Sequence, residues 1–103
     1  MTTLQQSERE QVRAIRGKQV DKVLCQVLKD GHTFALVGFG YENYPEPNFF
    51  AVRVDGELVR DAENILYTHY FDTSVMDAVQ KDFPQYDLST LMRAVGDMEE
   101  LPW

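Results

Sequence analysis

The dipeptide Asp55-Gly56 restricts the fold of this chain more than any other feature. It stands between "FFAVRV" and "ELVR", two arms in which apolar residues alternate. A two-residue type I′ turn needs positive φ at both central positions, and Asp-Gly supplies them, so a β-hairpin is expected here. The preceding stretch "HTFALVGFGY", residues 32–41, is short, apolar on both faces and rich in glycine at its end, as in a well-covered strand. "YENYPEPN" between them is a loop, because Pro45 and Pro47 forbid a central strand and Asn43 and Asn48 favour turns. After the hairpin, "DAEN" leads into "ILYTHYF", whose β-branched and aromatic content predicts a further strand. The span 57–71 admits one bent strand, two strands, or a strand and a turn.

Two helices are expected to close the chain. Asp72, Thr73 or Ser74 can cap the first, whose apolar face is Val75, Met76, Val79 and Phe83, and Pro84 stops it. Asp87 caps the second, with Leu88, Leu91, Met92, Val95 and Met98 on its face.

At the other end, Val20, Val23, Leu24, Val27 and Leu28 recur at the spacing of one helical face, and Gly31 suits a helix C-terminus. A rival reading makes 20–29 the first arm of a hairpin turning at Asp30-Gly31. Strict alternation fails there, since Val23 and Leu24 are adjacent, as are Val27 and Leu28, so a helix is preferred. Thr3 with Gln6 resembles a capping box. A straight helix turning about 100° per residue would run Arg9, Arg13 and Arg16 into the core stripe. A bend at Gly17 resolves the conflict. The expectation is one helix near 4–29, with residues 1–16 a projecting arm.

The predicted architecture is therefore an α+β two-layer domain: an N-terminal helix, a short antiparallel sheet of three to four strands, and two C-terminal helices. At 103 residues and 44% hydrophobic, the chain suits one domain, 1–103, with a real core. The single cysteine, Cys25, excludes an intramolecular disulfide. "MTTLQQSEREQVR" has no apolar leader core, and no run approaches the roughly 20 apolar residues of a membrane span. A cytoplasmic location is expected, with no membrane partner.

Charge is unevenly placed. Residues 1–30 carry six cations against four anions, whereas residues 31–103 carry four against thirteen. An acidic body argues against direct nucleic-acid binding, because phosphate contacts need Lys and Arg. It suits a basic protein partner, or carboxylates that imitate a phosphate backbone. The plain alternative is that acidity keeps a small protein soluble.

Candidate chemistries are few. Gly38-Phe39-Gly40 follows an apolar run, as a phosphate-binding turn does, but such a turn must open a helix N-terminus. Here Pro45 and Pro47 remove donors and Glu42 and Glu46 repel phosphate, so small residues under a packed aromatic are the better reading. Tyr41, Glu42, Tyr44 and Glu46 form a loop suited to partner recognition, or rings that fold back over the sheet edge. His69, sharing a face with Tyr67 and lying beside Tyr70, could line a pocket and act as a base with Asp72 or a tyrosine as orienter. A lone histidine is no catalytic constellation, and no catalytic residue is assigned. His32, beside a turn, reads as solvated. Cys25 has Lys22 and Lys29 within helical reach, which would activate it only if all three clustered. "DAEN" and "GDMEE" match no metal-binding pattern, and no metal or cofactor is predicted. Trp103, the only tryptophan, either packs back against the last helix or anchors a partner.

The expected function is a small acidic, non-enzymatic protein-binding module: an inhibitor, an immunity factor or an accessory subunit. Candidate contact residues are Tyr41, Glu42, Tyr44, Glu46 and Trp103. The alternatives are a small enzyme or ligand-binding domain with a pocket at Tyr67, His69 and Tyr70 between sheet and C-terminal helices, and homo-oligomerisation through the Val20–Leu28 stripe.

Overall fold

A computed structural model describes residues 17–103. Four strands form one antiparallel sheet in sequence order: β1 (Gln19–Lys29), β2 (His32–Tyr41), β3 (Phe49–Val54) and β4 (Glu57–Leu58). Two helices follow, α1 (Asp72–Asp82) and α2 (Ser89–Gly96). α1 lies over β3, and α2 over β1 and β2, so both helices cover one face of the sheet. The α+β class stands, with a four-strand sheet and two C-terminal helices.

The helix expected near 4–29 is overturned where the structure describes it: residues 19–29 are β1. The 1–16 portion of that expectation lies outside the described residues. The reason is a β-bulge. β1 pairs Val23 with Val37 and Cys25 with Leu36, leaving Leu24 as the extra residue. The bulge reverses which alternate residues point inward. Leu24 is 3% exposed, while Val23 is 43% and Leu28 74% exposed on the other side. Leu24, Cys25 and Val27 reach the core, and Val20, paired with Gly40, shares their side, so inward apolar residues recur three and four apart as on a helical stripe although the chain is extended. The continuous Val20–Leu28 stripe does not exist, and helix-mediated homo-oligomerisation loses its basis.

Both Asp-Gly pairs make hairpin turns. Asp30 and Gly31 have φ of 52° and 80°, Asp55 and Gly56 of 53° and 86°, the positive pair that a type I′ turn requires. The turns are tied together: Asp55 accepts the Thr33 N–H at 2.9 Å and pairs with His32 Nδ1 at 2.7 Å.

"ILYTHYF" does not form a continuous strand. After β4 the chain makes only isolated bridges, Arg60 with Leu66 and Phe50 with His69. The Asp61 carboxylate explains the interruption. It accepts the N–H groups of Glu63 and Ile65, both at 2.9 Å, and folds "DAEN" into a tight turn. Past the turn, backbone bonds from Tyr67 to Val59 and between His69 and Phe50 hold the segment against the sheet edge.

The core lies between sheet and helices. Leu24, Phe34, Leu36, Phe50 and Val52 from the strands meet Val75, Met76, Val79, Leu88, Leu91 and Val95. Each fully buried side chain of this kind contributes roughly 1.5–3 kcal/mol. Neither helix begins with a side-chain cap on its N-cap residue, Phe71 or Leu88. Asp87 nevertheless serves α2, accepting the Ser89 N–H at 3.0 Å and its hydroxyl at 2.6 Å. Gln80 clamps the link between helices, donating to the Tyr86 carbonyl at 2.7 Å and accepting the Leu88 N–H at 2.8 Å. On the opposite sheet face, Phe39 stacks on Phe49 and Arg53 bonds Asp21 at 2.9 Å, around buried Ala35, Val37 and Ala51.

Candidate functional site

Alternate residues of a strand share a face, and Gly38 and Gly40 therefore both lie on the helix-covered side of β2. Their missing side chains leave a shallow bed beside Leu24 and Pro47. Trp103 fills it. A Cβ at Gly38 would stand 3.3 Å from the ring, and one at Gly40 2.8 Å. The indole Nε1–H donates to the Tyr44 carbonyl at 2.8 Å, and Lys22 Nζ lies 4.7 Å from a ring centroid. The glycine pair of "GFG" is thus a seat for the C-terminal tryptophan.

This arrangement joins the loop 42–48 to the chain terminus. Glu42 ties the loop to the start of β1, its Oε1 accepting the Lys18 N–H at 3.2 Å and its own N–H donating to the Lys18 carbonyl at 3.0 Å. Asn48 N–H donates to the Phe39 carbonyl at 2.7 Å. An open groove of about 670 Å³ runs between the loop and the tail. Pro45, Glu46, Pro47 and Asn48 form one wall, and Glu100, Leu101 and Trp103 another. Phe50, Tyr70 and Phe71 complete the lining. Tyr70 is 77% and Phe71 65% exposed, large rings left in water at the turn into α1.

The candidate residues read from the sequence separate in space. Glu46 and Trp103 share the groove, and Tyr44 supports it through its carbonyl. Tyr41 alternates with Gly40 and so faces the other side of the sheet, where Gln19 Nε2 reaches its hydroxyl at 3.4 Å. Of the pocket set, Tyr70 lines the groove. Tyr67 instead donates its hydroxyl to Asp82 at 2.6 Å, and that hydrogen bond pushes its pKa up to about 12. His69 Nδ1 accepts the Phe71 N–H at 3.1 Å, and the ring lines an open hollow of about 270 Å³ with Phe49, Thr68 and Tyr70. Among the described residues no carboxylate hydrogen-bonds His69. Cys25 lies partly buried against the core, and burial pushes its thiol pKa up, away from an activated thiolate. No three His, Cys, Asp or Glu side chains among the described residues are grouped to hold a metal ion.

Phe71 and Phe50 read from the sequence only as parts of strands. The signal that could have found the groove was the alternation of Gly38 and Gly40, which marks a bare strip wide enough for a large ring. Compared with known proteins, the chain matches no family model, no curated protein and no solved structure. Among the described residues no helix is long and apolar enough to cross a membrane.

Proposed function

We propose that this chain is a non-catalytic, cytoplasmic protein-binding module whose contact surface is the groove between the loop 42–48, the C-terminal tail and the Tyr70–Phe71 turn. The observation that carries the reading is the pair of aromatic rings left exposed at a groove floored by Phe50 and Trp103. Tyrosine and tryptophan dominate binding hot spots because a rigid ring gives large contact area at little entropic cost. The rest of the apolar face of this sheet is covered by α1 and α2, so the groove is where added apolar contact remains available. An enzymatic reading draws less support, since Tyr67 and His69 are engaged with separate partners and do not converge.

A photo-crosslinking residue at position 70, compared with one at Leu28, tests this in cells. Leu28 is 74% exposed and apolar, which controls for stickiness. Discrete protein adducts from position 70 and none from position 28 are expected. Equal adducts from both, or none from position 70, would remove the groove as the contact surface.

A further inference from the structure

Resting on that reading, we infer that the groove takes an extended, proline-containing, cationic segment of the partner, held in the polyproline II conformation. Three observations narrow the occupant.

Backbone pairing is denied. Pro45 and Pro47 have no N–H, and the N–H groups of Asn48, Phe50, Phe71 and Trp103 already donate to Phe39, His69 O, His69 Nδ1 and Leu101. A strand added to an edge needs alternating free donors and acceptors, and these two prolines and four committed N–H groups interrupt that alternation. The indole N–H is likewise committed, to Tyr44. The occupant must be a chain whose backbone asks for no ladder. Polyproline II has no internal hydrogen bonds and remains solvated, so it can lie on rings alone.

The lining offers rings. Phe50, Tyr70, Phe71 and Trp103 present aromatic surface, and Pro45 and Pro47 present flat aliphatic surface. Pyrrolidine rings and the methylene stems of Arg or Lys pack on such faces. Aromatic-lined grooves are the general receptor for polyproline II segments.

The charge has one sign. Glu46 and Glu100 lie on opposite walls, and among the described residues no Lys or Arg lines the groove. Lys22 is engaged over the Trp103 ring, its Nζ 4.7 Å from a ring centroid. Carboxylates on both walls repel an acidic segment and favour Arg or Lys beside the prolines.

Titration of the full chain with the octapeptides (Pro-Arg)4, (Gly-Arg)4 and (Pro-Glu)4 tests the inference, read by the emission of Trp103, the only tryptophan. Saturable binding of (Pro-Arg)4 is expected, with (Gly-Arg)4 and (Pro-Glu)4 each weaker by about tenfold or more. Tyr70→Ala should weaken (Pro-Arg)4 by about tenfold. The pair Glu46→Gln and Glu100→Gln should weaken it and flatten its salt dependence. Melting curves establish that each variant is folded. Equal binding of (Gly-Arg)4 would reduce the effect to charge and overturn the polyproline reading, equal binding of (Pro-Glu)4 would overturn the cationic one, and no saturation would overturn both. If adducts from position 70 persist while (Pro-Arg)4 does not bind, the module stands and this inference falls; if both vanish, both fall.

Discussion

Gly40 leaves the space that Trp103 fills: a Cβ there would stand 2.8 Å from Cζ2 of the indole and 3.2 Å from the Pro47 Cα. Gly40→Ala must therefore displace the ring or the loop, and overpacking of this kind costs about 1–3 kcal/mol. A loss of roughly 4–8 °C in Tm per kcal/mol is expected, with a shift in tryptophan emission. Gly31→Ala makes the contrast. A Cβ at Gly31 would meet nothing within 4 Å beyond its chain neighbours, and only the φ of +80° opposes a side chain. Its substitution should cost about 1 kcal/mol and leave the emission unchanged.

The same contact predicts the effect of truncation. Removing residues 101–103 deletes the indole bond to Tyr44 and the cover over Gly38, and exposes Leu24. A destabilisation of about 2 kcal/mol is expected, below the value for a fully buried tryptophan because Trp103 is only partly buried. An unchanged denaturation midpoint would show that the tail adds nothing to the fold.

The extended backbone of β1 sets adjacent Val23 and Leu24 on opposite faces. Leu24→Ala should cost about 2–5 kcal/mol, as core truncations do. Val23→Thr should fall within about 0.5 kcal/mol of the parent, as surface substitutions do. On a helix both would sit on one stripe and respond together. Urea denaturation of the two variants distinguishes these outcomes.

Asp55 links stability to acid. Its hydrogen bond with His32, then that from the Thr33 N–H, hold its pKa below the usual 3.8. A carboxylate with a depressed folded pKa stabilises the fold above its unfolded pKa, and the contribution is lost as pH falls through the lower folded value. Asp55→Asn keeps a residue that tolerates the φ of 53°. Its Tm should lie below the parent's at pH 7 and converge with it as pH falls through the folded-state pKa of Asp55. A constant difference across that range would locate the effect elsewhere.

Tyr67 should ionise late. Its bond to Asp82 favours the neutral phenol and raises the pKa to about 12. Alkaline spectrophotometric titration should show one late step, absent in Tyr67→Phe. If that step persists in the variant, another tyrosine carries it.

Local signals were legible wherever local chemistry decides the backbone. Asp55-Gly56 turns because of its own φ preference, Pro45 and Pro47 keep the loop out of the sheet, and Val75, Met76 and Val79 mark one side of α1. β1 was misread because a bulge at Leu24 gave an extended strand the apolar spacing of a helix, and period alone does not separate the two. The Asp30-Gly31 turn pointed the other way, and its signal matches that of Asp55-Gly56. The sheet could outweigh the helical pattern because β1 gains a ladder with β2 across the Asp30-Gly31 turn, a pairing that the periodicity of β1 by itself does not contain.

The candidate groove was legible only in pieces. Glu46 and Trp103 belong to one candidate set read from the sequence, and Tyr70 to another. By itself the sequence determined the Asp55-Gly56 turn, the two C-terminal helices, the acidic body, the lone tryptophan and the glycine pair that ends one strand. Tertiary structure decided that Trp103 lies on Gly38 and Gly40, 63 to 65 positions away, and that Tyr70 and Phe71 meet the same groove. Such contacts are set by which faces remain bare once the sheet has closed and the helices have covered it. That balance of buried area belongs to the assembled layers and not to any one segment.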